Sequence, residues 1–296
     1  MEIKQVYYFT VLAEELHFSR AASRLNISQP TLSGQIRQLE NGLGTVLISR
    51  TSRRVSLTTA GEMLLSYARA ILNQIQRAEQ AIGDLREGVS GRLRIGSMPA
   101  GVNGPLASLL GKLSAAEPGI LVDLRHYGGS AEQIKAVVEE SLDLAFLREP
   151  SCSPSLRVTK VLEESFSVYL PSDHRFAGRS VLSLKDLREE VFVSAPQDVE
   201  MGLHALICKA LDGRNFSPRV RGLADSPMGQ LAMVAAGLGV AVLADTNTSI
   251  RRDGTVRVPL VPGELKASLF VVYRKWHQNN PAIEKFLNFL PGAVRP

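Results

Sequence analysis

Apolar residues recur at helical spacing from the first turn of the chain. Ile3, Val6, Tyr7, Phe9, Thr10, Leu12, Ala13 and Leu16 form one face of a helix over residues 2–16. Ser19 suits the N-cap of a second helix, Arg20 to Leu25, and Asn26 tolerates the left-handed backbone of a tight turn. Ser28 then caps a third helix with Pro30 in its first turn, where a missing N–H costs little, and Leu32, Ile36 and Leu39 point inward. Two short helices joined by a three- or four-residue turn, with the small Ala22 at their crossing, predict a helix-turn-helix. The alternation Val46-Leu47-Ile48, then Arg53, Val55 and Leu57, predicts a short hairpin, a wing tipped by Arg50, Arg53 and Arg54.

From Thr59 to Glu87 there is no proline, and the pattern predicts one helix of about 44 Å. Leu64, Ala68, Ile71, Ile75, Ala78, Ile82 and Leu85 step by 4, 3, 4, 3, 4, 3, a heptad seam suited to a two-chain coiled coil. The alternative is a helix packed on its own domain, which calls for a wider apolar stripe. Gly88-Val89-Ser90-Gly91 reads as a hinge. Beyond it, strands alternate with helices: strands at 93–96, 121–127, 142–147, 191–193, 220–223 and 239–243, and helices at 105–116, 130–141, 202–211, 226–236 and 282–290. Long extended runs at 161–170 and 265–273 could each cross between two lobes. The pattern thus predicts an α/β chain: a head at 1–58, a linker helix at 59–87, a hinge at 88–91 and a two-lobed body at 92–296. One lobe takes about 92–162 and 267–296, the other about 163–266. Parallel sheets covered by helices are the expected layers.

Charge sharpens this division. Residues 1–60 hold seven basic and four acidic side chains, +3, whereas the other 236 residues carry only +2 of the total +5. This is either a mildly basic surface or an anion-binding head on a near-neutral body. Apolar residues make up 45% and charged residues 21%, which excludes disorder along the whole chain. No stretch approaches the ~18 apolar residues of a membrane span, and Met1 to Gln5 lack a secretory leader's basic start and apolar run. The expectation is a cytoplasmic protein with no membrane partner, in which the Asn-x-Ser/Thr triplets at Asn26, Asn215 and Asn247 have no meaning. Two distant cysteines, Cys152 and Cys208, form neither a disulfide framework nor a zinc cluster.

The head resembles the DNA-binding domain of LysR-type transcriptional regulators. The resemblance rests on Tyr8-Phe9, Ala13-Glu14, Phe18-Ser19-Arg20-Ala21-Ala22, Leu25, Ile27-Ser28-Gln29-Pro30, Leu32-Ser33, Gln35-Ile36, Leu39-Glu40, Leu43-Gly44, Leu47, Arg50 and Leu57-Thr58-Thr59-Ala60-Gly61. The body matches more loosely, through Gly91-Arg92-Leu93-Arg94-Ile95-Gly96, Leu142-Asp143-Leu144-Ala145 and Val234-Ala235-Ala236-Gly237-Leu238-Gly239-Val240-Ala241. The resemblance implies a winged helix-turn-helix, a dimerising linker, and a two-lobed effector domain similar to periplasmic binding proteins. It also implies a dimer of dimers on double-stranded DNA, with RNA polymerase as a further partner and no cofactor. Three positions depart from the pattern: Gly34 stands where arginine is common, Ile48 where an aromatic residue is common, and Asp245 where proline is usual.

Several residues could carry the chemistry. Arg20, Ser28, Gln29, Pro30, Thr31, Ser33 and Arg37 are the candidates for DNA contact around the recognition helix. A glutamine can pair bidentately with adenine and an arginine with guanine, although each residue could equally be a solvated helix face. Arg50, Arg53 and Arg54 suit phosphate. An effector would sit where strand ends and helix starts converge: Ser97, Met98 and Ala100 after the first strand, Ser130 after Gly128-Gly129, Arg148 after the buried strand, and Pro196, Gln197, Asp198, Asp225 and Ser226 in the second lobe. The resemblance places polar ligands near Ser130 and Arg148. A helix start and a guanidinium suit a carboxylate, so a small organic acid is the expected effector. Ser130 and Ser226 could instead be plain N-caps, and Arg148 a surface ion pair with Glu149 or Glu117.

Other functions fit less well. Gly237-x-Gly239 lacks a third glycine, no GxxxxGK[ST], HExxH or GxSxG occurs, and the five histidines have no metal-ligand spacing. No catalytic or metal site is expected, and His17 reads as structural. Two alternatives remain: a two-lobed enzyme fused to a DNA-binding head, and a redox-sensing regulator using Cys208. A solute-uptake protein would share the body but needs export.

Overall fold

The computed structural model describes residues 1–50, 55–86, 89–148, 150, 153–196, 207–210, 218–276 and 280–291. The chain divides into two compact units, residues 1–87 with 138–141, and residues 88–137 with 142–296.

In the first unit, α1 (Ile3–Glu15) is opened by a reciprocal cap: the Glu2 side chain accepts a backbone N–H in the first turn, and the Glu2 N–H donates to Gln5 Oε1 at 3.0 Å. Helix α2 (Phe18–Arg24) starts two residues before the expected Arg20. Its N-cap is His17 rather than Ser19, with the imidazole Nδ1 accepting from the Arg20 N–H at 3.3 Å. His17 thus supplies the acceptor that serine usually supplies. Asn26 takes the left-handed conformation, φ 54°. Helix α3 (Gln29–Leu43) begins at the predicted Ser28 cap with Pro30 in its first turn, and ends at Gly44 with φ 67°. Leu32, Ile36 and Leu39 from α3 meet Val6, Phe9 and Leu12 from α1 in one core.

The wing is an antiparallel pair, β1 (Ile48–Arg50) with β2 (Val55–Leu57), and β1 begins two residues later than the alternation suggests. Glu40 on α3 explains the delay: its Oε1 accepts the N–H groups of Leu47 and Ile48 at 3.0 and 3.1 Å. The Thr58 hydroxyl accepts the Gly61 N–H at 3.0 Å, capping α4 (Thr59–Arg86). Helix α4 is the expected long helix, but its apolar side chains divide. Ala68 is fully buried in the head core and Leu64, Leu65 and Leu72 pack against that core. Ala68 therefore lies inside its own head and cannot face a second chain. Ile71 and Ile75 are half-buried, Ala78 is exposed and Ile82 is 61% exposed. Leu85 lies on the same helix, but its side chain is outside the description.

The second unit has two lobes. The first is a five-stranded sheet in the order β4-β3-β5-β12-β6: β3 (Gly91–Ser97), β4 (Ile120–His126), β5 (Leu144–Leu147), β6 (Leu156–Glu164) and β12 (Ala267–Arg274). β3 runs parallel to β4 and β5, while β12 is antiparallel to β5 and β6. Helices α5 (Ala107–Ala116), α6 (Ser130–Val138) and α8 (Pro281–Leu287) belong to this lobe. The second lobe contains β7 (Phe166–Pro171) between β10 (Ala241–Ala244) and β11 (Thr255–Pro259), both antiparallel to it, and the parallel pair β8 (Val191–Ser194) and β9 (Arg219–Leu223), with α7 (Pro227–Ala235). The sheets are thus mixed rather than parallel, because each return from one lobe to the other brings a strand in with reversed sense. The extended run at 161–170 breaks at Ser165, between strands of different sheets, and the chain crosses again between β11 and β12.

Three further differences follow from packing. The helix expected from Pro105 is preceded by a helical turn from Pro99, where Gly101 packs against Phe146, and Gly104, with a non-helical backbone at φ −107° and ψ −119°, kinks the chain between that turn and α5. Helix α6 stops at Val138, before Glu140 takes a left-handed conformation, φ 63°. β11, at 255–259, had no sequence counterpart. The helix expected at 202–211 lies largely outside the described residues, which show helix at 207–210.

The burial of Ala68 yields a test. Ala68→Glu should destabilise the head by about 3 kcal/mol or more, since a buried carboxylate would lack a partner. Hydrogen exchange in α1 and α3 should accelerate; unchanged exchange would return Ala68 to an intermolecular seam.

Candidate functional site

In the head, two helix caps orient one surface. The Ser28 Oγ accepts the Thr31 N–H at 3.2 Å and lies 2.7 Å from Thr31 Oγ1, so both hydroxyls are engaged in starting α3. With Leu32, Ile36 and Leu39 buried, the opposite face presents Pro30, Thr31, Gly34, Arg37, Gln38 and Asn41, all exposed. Gln29 is exposed at its edge, and its Oε1 accepts from Ser19 Oγ at 3.4 Å, which leaves its amide nitrogen to donate outward. Ser33 is half-buried on the flank. Arg20 is drawn back to Glu15, donating to its carbonyl at 2.6 Å, with Nε 3.4 Å from its carboxylate. Glu14 and Glu15 similarly hold Arg24, whose pKa is raised chiefly by its hydrogen bond to Glu15. Arg50 ends β1, though its side chain is outside the description, and Arg53 and Arg54 lie outside the described residues. Gln38 and Asn41 went unnoticed in the sequence. Their signal was position alone, four residues beyond Gly34 and Arg37 respectively on the exposed face.

In the second unit, strand ends and helix starts converge as expected, but several candidate side chains have other work. Ser97 is fully buried, with its hydroxyl donating to the Met98 carbonyl at 2.9 Å. Met98 and Ala100 are buried in the first lobe's core. None of these three side chains forms an open wall, because the helical turn at Pro99 packs them inward. Ser130 is half-buried and is the first residue of α6 rather than its cap: the Gly129 carbonyl accepts the Gln133 N–H at 3.5 Å. Nearby, burial raises the pKa of the Tyr127 phenol, opposed by Arg125, so this side chain is a neutral hydroxyl near neutral pH. Gln133 is fully buried. With its amide oriented to donate, its nitrogen reaches the Phe146 and Gly96 carbonyls at 3.1 and 3.3 Å, tying α6 to β5 and β3.

Arg148 has a buried partner that neither of its expected roles included. Its side chain is 6% exposed, and Nε donates to Glu164 Oε2 at 2.9 Å, while the Glu164 side chain is fully buried. The other oxygen of Glu164 accepts from Thr246 Oγ1 at 2.5 Å. The guanidinium therefore neutralises an internal carboxylate where the lobes join, and it is not a surface ion pair. Glu117 pairs instead with Lys285 at 2.7 Å, and Glu149 lies outside the described residues. A second link joins the lobes close by: Asn103 Nδ2 donates to Asn247 Oδ1 at 2.8 Å. No sequence pattern marked Glu164, Thr246, Asn103 or Asn247 as a contact between lobes.

On the second lobe, Pro196 is half-buried after β8 and Asp225 is exposed, while Gln197 and Asp198 lie outside the described residues. Ser226 is an N-cap, its Oγ accepting from the Gly229 N–H at 3.3 Å. Cys208 is half-buried and lines a small pocket with Phe192, Val193, Ile207, Val220 and Val242, while Cys152 lies outside the described residues. Among the described residues, no group of three or more His, Cys, Asp or Glu could hold a metal, and no helix is long and apolar enough to cross a membrane.

Comparison with known proteins follows this division. Residues 3–62 match the family described as bacterial regulatory helix-turn-helix protein, lysR family, and residues 86–295 match the LysR substrate binding domain. The HTH-type transcriptional regulator YnfL of Escherichia coli (strain K12) is 32% identical over 296 residues, covering 100% of this chain and 99% of its own. The crystal structure of full-length CbnR complexed with its target DNA shares the fold, with TM-score 0.70 and 23% identity over 97% of this chain and 98% of that one. The effector-binding domain of BenM with its effector benzoate has TM-score 0.60 and 20% identity, covering 68% of this chain and 90% of that one. The chain belongs to the LysR family and is a DNA-binding transcriptional regulator with an effector-binding domain, not an enzyme.

Proposed function

We propose that α3 reads the major groove while the wing arginines Arg50, Arg53 and Arg54 hold phosphates. The observation that carries this is the polar face of α3, fixed opposite its buried stripe by the Ser28 cap, with Gln29 free to donate and Arg37 exposed. Pro30, Thr31 and Ser33 shape this face, and Arg20 acts at its edge through Glu15. The head's +3 charge supports attraction to DNA irrespective of sequence. The regulator works in the cytoplasm and changes transcription by contact with RNA polymerase.

Self-association follows from the linker helix. Ile71, Ile75, Ala78, Ile82 and Leu85 continue the seam beyond the part covered by the head, and Met63 and Tyr67 add an exposed apolar strip, each 64% exposed. Two chains pair along this helix, and two such dimers form the tetramer.

The effector is a small organic acid held between the lobes. The start of α6 at Ser130, with the backbone N–H groups of a first helical turn and the neutral Tyr127 phenol nearby, favours an anion. Asp225 and Ser226 are the candidates from the second lobe, and Gln197 and Asp198 remain candidates on the sequence reading alone. Arg148 serves this site indirectly, by fixing Glu164. BenM, whose effector domain shares the fold, has benzoate as its effector.

Fluorescence anisotropy on a selected duplex and a scrambled one tests the DNA reading. Gln29→Ala should cost about 1–3 kcal/mol on the selected duplex alone, while Arg53→Ala should weaken both and lower the salt dependence by about one ion. An unchanged ratio for Gln29→Ala would remove its role in reading bases.

Ile82→Glu should leave the single chain folded, because the side chain is exposed there, yet shift sedimentation toward monomer. An unchanged oligomer would refute pairing through this seam.

Arg148→Met should destabilise the second unit by about 3–5 kcal/mol by stranding the Glu164 charge, and Arg148→Met with Glu164→Met should recover most of that loss. Thermal melts check this. An Arg148→Met variant of normal stability that lost only its response to carboxylates in calorimetry would instead put the guanidinium on the ligand.

A further inference from the structure

The recognition helix has a gap at the centre of its exposed face. Gly34 lies directly opposite the buried stripe of Leu32, Ile36 and Leu39, between Pro30 on one side and Arg37 and Gln38 on the other. A Cβ added at Gly34 would meet no atom within 4 Å. Nothing inside the protein requires glycine here: its backbone is ordinary helix, no neighbour crowds it, and it is neither a cap nor a turn. Glycine within a helix is nevertheless about fivefold less favourable than alanine. An unfavourable residue without an internal role, at the apex of a surface, fits a role toward whatever that surface meets.

The dimensions say what that role is. A helix with its side chains is about 10–12 Å across, and the major groove is about 12 Å wide and 8.5 Å deep. A helix docked there therefore comes to rest on the side chains that project furthest toward the groove floor. Removing the one at the apex lets the backbone settle closer to the bases, and it brings the flanking Gln29, Thr31, Arg37 and Gln38 within reach of base edges that a larger central residue would hold away. Resting on the reading that α3 enters the major groove, we propose that Gly34 is a specificity-determining residue, the point where the recognition helix approaches the bases most closely, its missing side chain replaced by a base edge.

The prediction sets stability against binding. In the full-length chain, Gly34→Ala and Gly34→Leu should both raise or maintain the thermal midpoint, since both residues favour helix more than glycine does. On a duplex selected by the wild-type chain from a randomised library, binding should fall about tenfold for Gly34→Ala and about a hundredfold for Gly34→Leu, because a helix held away from the base edges is penalised as mismatched base pairs are. Binding to a scrambled duplex should stay level. Gly42 is a control in the same helix: it too is open within 4 Å but lies in the last turn, away from the apex, so Gly42→Ala should bind as wild type. If Gly34→Ala kept full affinity for the selected duplex while Gln29→Ala lost it, α3 would read DNA without using the gap, and the proposal would fail alone. Should neither Gly34 variant nor Gln29→Ala alter the ratio of selected to scrambled binding, the proposal and the placement of α3 would fail together. Equal losses on both duplexes, or an equal loss for Gly42→Ala, would trace the effect to the helix as a whole and overturn it.

Discussion

A carboxylate removed from water needs partners, and the second unit is organised around one that has them on two sides. Glu164 ends β6, one residue before the chain leaves the first lobe. Its two oxygens are held by Arg148, at the end of β5, and by Thr246, just beyond β10. Ionic desolvation costs several kcal/mol per group, so a fully buried carboxylate persists only where these bonds form together. The contact therefore fixes a strand end of one lobe against a turn of the other, and Asn103 with Asn247 repeats the connection nearby. The relation between the lobes depends on a few buried polar groups where the chain crosses.

Such a junction suits a sensor. A ligand changes an equilibrium between lobe arrangements only through unequal affinity for them. The two cores are separate: Phe146, Val271 and Phe286 anchor one, Phe166, Val168 and Phe192 the other. Each lobe can remain packed while the polar contacts between them adjust, because close-packed apolar interiors resist deformation more than hydrogen bonds at their margin. Arg148 contributes to this junction by holding the buried Glu164 carboxylate.

Polar side chains also determine the geometry of the head. Glu40 fixes the start of the wing to α3 through two backbone N–H groups, and Thr58 caps α4 while its hydroxyl donates to the Val46 carbonyl at 2.7 Å. The wing therefore inherits its position from the recognition helix. Helix α4 begins as part of the same core, through Ala68 and the neighbouring Leu64, Leu65 and Leu72, before its later apolar residues become free to meet another chain. One helix thus stabilises the head with its first turns and carries apolar surface outward with the rest.

The sequence by itself determined the elements whose cause is local. The helical periods of α1, α3 and α4, the Ser28 cap, the left-handed Asn26 and the two-lobed alternation of strands and helices are written within a few residues of where they act, and so was the family to which the head belongs. Tertiary structure decided whatever depends on residues distant in sequence. A heptad pattern reports apolar spacing but not which surface covers it, so Ala68 read as an intermolecular contact until the head enclosed it. An arginine after a buried strand reports a charge but not its direction, and Arg148 turned inward because Glu164, sixteen residues away, had no water to solvate it. Strand sense was equally hidden: alternation counts elements, whereas β12 runs antiparallel because the chain must return from the second lobe to complete the first sheet. Local propensity is carried by neighbours along the chain, but burial and pairing are decided by neighbours in space.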